Sequence, residues 1–169
     1  VDAGNPEKVF SVTGVNAELN LGRPGMVDIV KADAVVQGIR VTAQGAFPIG
    51  QDDSGDFTLT AQDMDAVRDQ LNQVLNYMDR VKWPDASPPR LIVNLSDDPK
   101  GGVRIGMDLQ APFLRYGKIM VRDFLFNGDY ADSVIMAKRF TMRDAETAGF
   151  VSLSLQADLK KRTLICRRK

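Results

Sequence analysis

The sequence contains no histidine and only one cysteine, Cys166, in 169 residues. Histidine is the commonest general base and metal ligand, and its absence removes the Ser-His and Cys-His nucleophile pairs. A single cysteine forms no internal disulfide, and without histidine it matches no common metal site. We therefore expect a protein that is not an enzyme, with no catalytic residues, no metal and no cofactor.

The sequence also lacks an excess of charge of either sign, since 22 Lys and Arg residues balance 22 Asp and Glu residues. A balanced chain has no global electrostatic reason to bind a polyanion. We therefore expect no nucleic acid among its partners.

Two acidic segments have the wrong spacing for a calcium loop, which needs oxygen ligands at regular intervals and a closing bidentate carboxylate. They are predicted to be solvated turns. Their residues are Asp52, Asp53, Asp56, Asp97 and Asp98.

What the sequence does contain is an alternation of apolar and polar residues with a period of two. Successive side chains of a strand point to opposite faces, so this pattern predicts a sheet with one apolar and one wet face. The alternating apolar sets are Ile39, Val41, Ala43, Gly45, Phe47 and Ile49; Val103, Ile105, Met107, Leu109 and Ala111; and Val151, Leu153, Leu155, Ala157 and Leu159.

One stretch has a different period, with apolar residues three and four positions apart, which indicates an amphipathic helix. Thr60 and Asp63 resemble a capping box at its start, and Pro84 closes it. The helix is predicted over about residues 61–82. Its apolar stripe is Met64, Val67, Leu71, Val74, Leu75 and Met78.

Glycines mark three predicted irregularities of the strands. The apolar phase shifts by one residue at Gly14, which is typical of a β-bulge. Residues 22–25, Gly-Arg-Pro-Gly, predict a turn, and Asn127-Gly128-Asp129 predicts a tight hairpin between strands 117–126 and 132–143.

The predicted fold class is mainly β (α+β): a curved antiparallel sheet or open β-groove of about 8–10 strands, with the helix packed on it or capping it. Residues 1–169 are expected to form a single β-rich domain that is part of a larger protein. Two possible sub-units, 9–60 and 90–166, would be joined by the helix 61–82.

One helix cannot cover the apolar face of so many strands, so the remainder is either ordinary core or faces a ligand or partner. An aromatic-rich set falls on neighbouring strands and is expected to pack partly under the helix: Phe113, Tyr116, Phe124, Phe126, Tyr130 and Phe140. Trp83 is interpreted as an anchor of the helix rather than a ligand-stacking residue.

Residues 81–89, Val-Lys-Trp-Pro-Asp-Ala-Ser-Pro-Pro, and the strands that follow as far as Leu159 resemble the AsmA-like family of envelope proteins, which has TamB-like and YhdP-like members. Residues 119–124, 140–144 and 149–155 look like its C-terminal rhythm, and residues 27–33 and 45–47 look like a preceding unit. The resemblance implies a repeating β-groove with an apolar interior, periplasmic and without catalytic residues. It also implies membrane association through a segment missing from this chain.

The leading hypothesis is a non-enzymatic module of phospholipid transport or outer-membrane and cell-envelope biogenesis, with lipid acyl chains as partners. The candidate lipid-facing residues are Val103, Ile105, Met107, Leu109, Val151, Leu153 and Leu155. The alternative is a structural or protein-interaction β domain of a cell-surface or periplasmic protein. Its partners would be adjacent β-domains of the same chain or further copies in a homo-oligomer.

Overall fold

The computed structural model describes residues 11–49, 55–75, 77–98, 102–147, 149–158, 160–161 and 163–168. Within these residues the chain is mainly β: eleven antiparallel strands form one open sheet, accompanied by one short α-helix. The strands are β1 Val12–Asn20, β2 Met26–Val36, β3 Ile39–Pro48, β4 Asp56–Ala61, β5 Val81–Lys82, β6 Arg90–Asp97, β7 Val103–Tyr116, β8 Ile119–Ala131, β9 Val134–Asp144, β10 Phe150–Asp158 and β11 Thr163–Arg168. The helix α1 is Met64–Leu75.

The strand order follows the order of the chain from β1 to β11, except for the two-residue β5, which pairs with β7 outside this path. On either side of α1, β4 and β6 are directly hydrogen-bonded, with Leu59 opposite Val93. Residues before and after the helix therefore belong to the same sheet. Among the described strands, β1 and β11 form its two edges.

The register carries the apolar alternation across the whole sheet. Residues directly opposite each other on paired strands project to the same face. Seven strands, β3, β4 and β6 to β10, can be followed in this way, and the apolar residues stay in rows. One row is Ala43, Leu59, Val93, Met107, Gly128, Ala137 and Leu155; the next is Val41, Ala61, Leu91, Leu109, Phe126, Phe140 and Leu153. We call the surface formed by these rows the apolar face.

The predicted helix 61–82 is wrong in its bounds. Ala61 belongs to β4, the helix ends at Leu75, a 3-10 turn follows at residues 78–80, and Val81–Lys82 is a strand. Thr60 is also not the cap: Asp63 precedes the helix, and its Oδ1 accepts a hydrogen bond from the backbone N–H of Ala66 at 3.0 Å. Asp63 therefore satisfies a backbone donor in the first turn that would otherwise lack a partner.

The predicted turn at Asn127-Gly128-Asp129 is also wrong, because these residues lie inside β8. The turn comes at Asp132 and Ser133, which both have positive φ, as a two-residue type I′ hairpin requires. A Cβ at position 128 would lie 2.6 Å from the Met136 carbonyl oxygen and 3.0 Å from the Phe126 ring. Glycine is needed there for close approach rather than for turning.

Two other glycine-based predictions are confirmed. The pairing of β1 with β2 shifts register between Thr13 and Asn16, and Gly14 lies there with a φ of 61°. Pro24 and Gly25 form the turn between these strands, with Gly25 at a φ of 71°. In both places a left-handed backbone is required, which glycine adopts without strain.

The core is thin. Its buried apolar residues are Val27, Ala32, Val41, Val67, Ala111 and Ala137, and no described large side chain is less than 2% exposed. The accessible surface is 12071 Å², whereas a compact monomer of 18.6 kDa exposes about 8,200 Å². A single sheet with little cover contributes to this excess, because most of the described apolar side chains are half-buried or exposed.

Candidate functional site

The candidate site is the apolar face, and its most enclosed part lies beneath α1. The helix presents Met64, Val67 and Leu71 to the sheet, at the spacing that brings side chains onto one side of a helix. Val67 is buried, whereas Leu71 is 42% exposed. The helix is therefore more covered at Val67, near its first turns, than at Leu71, near its end.

Between α1 and the sheet lies a cavity of about 440 Å³. Strands β6, β7 and β8 form its floor, and the segment from the end of α1 to β6 forms a further wall. Its lining is apolar apart from Arg68: Met64, Val67, Arg68, Leu71, Met78, Val81, Trp83, Pro89, Leu91, Met107, Leu109, Ala111, Leu114, Phe124 and Phe126. We call it the α1 cavity.

A closed void of this size would be unusual for a folded domain, because protein interiors contain few voids larger than a water molecule. If it were closed and empty, about 24 cal/mol per Å³ would amount to a cost of roughly 10 kcal/mol. That is comparable with the whole stability of a domain, about 5–15 kcal/mol. The α1 cavity is therefore a space open to the surroundings near Leu71 and suited to an apolar guest.

Arg68 is the one charged residue in the lining, and its guanidinium is already occupied. Its carbon Cζ lies 5.1 Å from the centre of the Trp83 ring, a cation–π distance. Its nitrogens contact the Asp65 carboxylate at 2.8 Å and the Asp69 carboxylate at 3.3 Å. Trp83 thus anchors the segment after α1 to the helix, as predicted, and is also part of the cavity wall.

The seven predicted lipid-facing residues all lie on one face of the sheet. Met107 and Leu109 line the α1 cavity, while Ile105 and Val103 continue along β7 beyond it. On β10, Leu153 lies in the same row as Leu109, and Leu155 lies in the row of Met107. Val103 is 51% and Val151 37% exposed. The structure therefore separates the set into a covered pair, Met107 and Leu109, and five residues that lie outside the α1 cavity.

The aromatic set is divided in a similar way. Phe124 and Phe126 line the α1 cavity, and Phe140 packs edge-on against Phe124 with ring centres 5.4 Å apart. Phe113 and Tyr116 are 40% and 43% exposed near the far end of β7. Sequence reasoning missed Val81 and Pro89 as wall residues, because their place depends on the path of the chain after α1.

The opposite face of the sheet is polar and tied together by side-chain contacts. The Asp129 carboxylate on β8 forms salt bridges with the Arg104 guanidinium at 2.8 Å and with the Lys138 ammonium at 2.5 Å. Burial acts to raise the pKa of Asp129, but the hydrogen bonds from Lys138 and Arg104 outweigh it and hold that pKa below its ordinary value. Thr58 donates a hydrogen bond to Asn94 Oδ1 at 2.9 Å across β4 and β6.

At the end of β9, Asp144 organises the connection to β10. Its Oδ1 accepts hydrogen bonds from the backbone N–H groups of Thr147 at 2.6 Å and Glu146 at 2.9 Å. These bonds lower the pKa of Asp144. Asp144 is therefore a structural carboxylate of a loop rather than a group poised for proton transfer.

Other kinds of site are not found in the part of the chain that the structure describes. It holds no group of three or more His, Cys, Asp or Glu side chains that could bind a metal ion. No helix in it has the length and apolar character needed to cross a membrane. Asp52 and Asp53 of the predicted acidic turns lie outside the described residues.

A scan against protein-family models, a search of curated proteins and a search of solved structures each found no match to this chain.

Proposed function

We propose that this protein is a non-enzymatic carrier module whose apolar face holds lipid acyl chains, in transport of phospholipid or in biogenesis of the cell envelope. The AsmA-like rhythm of the sequence supports this proposal and extends it to a curved, groove-shaped sheet in a periplasmic, membrane-associated protein. Acyl chains would lie along the apolar face, with head groups towards its polar margins.

The observation that carries the proposal is the mismatch between the apolar face and its cover. Ten strands in series, spaced about 4.8 Å apart, make a sheet roughly 43 Å wide. The 12-residue α1 is about 18 Å long and about 10 Å across. Within the described residues, most of the apolar face is therefore left without a layer of protein above it, and large exposed apolar patches mark sites of interaction.

The free energy for binding would come from removing methylene groups from water, at about 0.8 kcal/mol for each group. Candidates for the contact outside the α1 cavity are Val103 and Ile105 on β7 and Val151, Leu153 and Leu155 on β10. They present only carbon atoms from their side chains, so they would bind acyl chains with little dependence on chain identity.

The test is native mass spectrometry of protein purified without detergent, combined with titration of a fluorescent acyl probe. We expect co-purified phospholipid and saturable probe binding. Leu153→Glu puts a charge on the apolar face and should weaken probe binding, whereas Ser152→Glu puts the same charge on the opposite face of β10 and should not. Absence of lipid together with absence of probe binding would contradict the proposal.

The alternative function is a structural or interaction module, and the open edges favour it. Each of β1 and β11 pairs with only one strand among those described, and every residue of β1 is exposed. Unpaired strand edges are templates for adding another strand. This function predicts association that increases with protein concentration in analytical ultracentrifugation. A monomer at all concentrations, with lipid bound, would exclude it.

A further inference from the structure

The α1 cavity differs from the rest of the apolar face in being enclosed on several sides. Helix α1 lies above it, strands β6 to β8 lie below it, and Trp83 closes one side. We propose that it is a separate binding site for a single unbranched acyl chain whose polar end carries no net negative charge. This inference rests on the proposed function, because the cavity is part of the same apolar face.

The size of the cavity fits one chain rather than two. A methylene group occupies about the same volume as a water molecule in the liquid, about 30 Å³. The 440 Å³ available therefore has room for about 15 methylene groups. Three methionines, Met64, Met78 and Met107, are in the wall, and their flexible side chains adapt to a chain that can bend.

The charges around Arg68 decide which polar end is accepted. Asp65 and Asp69 both contact the guanidinium, so the three groups together carry a net charge of −1. Both carboxylates are largely exposed, at 62% and 71%, and they lie beside the cavity wall that Arg68 forms. A fatty-acid carboxylate would be repelled there, whereas an uncharged glycerol end or an amine-bearing head group would not.

The protein provides two reporters for separating the cavity from the open face. Trp83 is the single tryptophan of the chain and is part of the cavity wall. Cys166 is the single cysteine, is exposed, and lies on β11 opposite Leu155 of the apolar face. Trp83 fluorescence therefore reports on the cavity, and a polarity-sensitive dye on Cys166 reports on the open face.

The experiment titrates the full chain with monomyristoyl glycerol and with myristate at pH 8, below their micelle concentrations and at low salt. We expect monomyristoyl glycerol to shift Trp83 emission to the blue and to bind at least about fivefold more tightly than myristate. The double variant Asp65→Asn, Asp69→Asn should bind myristate about fivefold more tightly than the original chain. Its affinity for monomyristoyl glycerol should not change.

A cavity-filling variant with a matched control completes the test. Ala111 lines the α1 cavity, whereas Ala46 on β3 lies opposite Asp28 and Asp56, on the other face of the sheet. Ala111→Leu should lower the affinity for monomyristoyl glycerol at least fivefold, and Ala46→Leu should leave it unchanged. If circular dichroism shows that Ala111→Leu does not fold, the cavity site is tested instead by comparing the affinities of monomyristoyl glycerol and myristate for the Asp65→Asn, Asp69→Asn variant.

The outcomes distinguish the two proposals. A Cys166 dye that responds while Trp83 does not would overturn the cavity site and leave the carrier surface standing. If neither Trp83 emission nor the Cys166 dye responds to ligand, both the cavity site and the proposed carrier function are overturned. Equal binding of myristate and monomyristoyl glycerol by the original chain would overturn the assigned preference for an uncharged end.

Discussion

The middle of the apolar face and its flanks carry similar side chains but differ in cover. Leu109 on β7 and Leu153 on β10 belong to the same row, yet Leu109 lies beneath α1 and no helix in the described part of the chain lies above Leu153. The strands themselves do not account for this difference. It comes from one insertion between β4 and β6, which contains α1, Trp83 and Pro89. Cover is therefore a local addition to a sheet that is otherwise uniform.

The largest effect expected from this comparison comes from shortening matched leucines. Leu109→Ala should lower the free energy of unfolding by about 3 kcal/mol, since this half-buried leucine contacts its neighbours in the sheet and also lines the cavity beneath α1. Leu153→Ala should lower it by about 1 kcal/mol, because Leu153 is half-buried and has no described helix above it. Urea denaturation with an unchanged m-value measures both. Equal losses would mean that the flank is covered as well as the middle.

A second comparison tests the boundary of the covered region. Gly128→Ala should destabilise the protein by about 2 kcal/mol, because its Cβ would displace the Phe126 ring and meet the Met136 carbonyl. Gly106→Ala on the neighbouring strand meets its nearest atom at 3.5 Å, so we expect a change within about 0.5 kcal/mol. Thermal unfolding of the two variants provides the measurement. A neutral Gly128→Ala would show that Phe126 has room to move.

The polar face offers a third comparison, which depends on pH. The folded-state pKa of Asp129 lies below its unfolded value of about 3.9, so its stabilisation is present above about pH 4 and is lost as the pH falls through the folded pKa. Asp129→Asn should therefore cost about 1–2 kcal/mol at pH 7 and progressively less below about pH 4.

This expectation is checked by measuring the denaturant midpoints of the original chain and of Asp129→Asn from pH 7 to pH 2.5. Asp33→Asn serves as the control, because the nearest cation to Asp33 is Lys31 at 3.3 Å with both side chains largely exposed. Surface pairs of this kind contribute about 0–1 kcal/mol. A difference between Asp129→Asn and the original chain that stays constant down to pH 2.5 would contradict the assigned role.

The smallest effect on the free energy of unfolding is expected from destabilising helix α1, which covers the cavity, without changing the sheet. Asp63→Ala removes the acceptor for the Ala66 N–H and should cost about 1 kcal/mol, while Asp63→Asn keeps an acceptor and should cost much less. Hydrogen exchange should show faster exchange in α1 with the amides of β9 and β10 unchanged. Faster exchange throughout the sheet would show that cover and sheet unfold together.

The sequence pattern predicts the sheet well because alternation is a local property that survives in every strand. The bulge at Gly14 could be predicted for the same reason. The prediction of a turn at Asn127-Gly128 was wrong because β8 pairs with both β7 and β9 at these residues, and this pairing outweighs the local turn preference of the dipeptide. The helix was predicted to extend beyond Leu75 because Met78 continues the three- and four-residue spacing of the stripe, although it lies in a 3-10 turn.

The site was predictable only in part. Met107 and Leu109 could be chosen from alternation, and the stripe of Met64, Val67 and Leu71 from helical spacing. Their meeting around a cavity depends on the height and direction at which α1 crosses the sheet, which no local pattern encodes. The pairing of Arg68 with Asp65 could have been predicted from their three-residue spacing on a helix, whereas residues one position apart, such as Arg68 and Asp69, are not expected to face each other.

The agreement between strand order and chain order has a consequence for how the molecule assembles. Apart from β5, each strand on the path pairs with the next strand of that path along the chain, so its contacts link segments close in sequence. Such a sheet can grow one hairpin at a time from either end, as neighbouring units do in repeat proteins. Synthesis on a ribosome would release the strands in the order in which they pair, and each new strand would find its partner already formed.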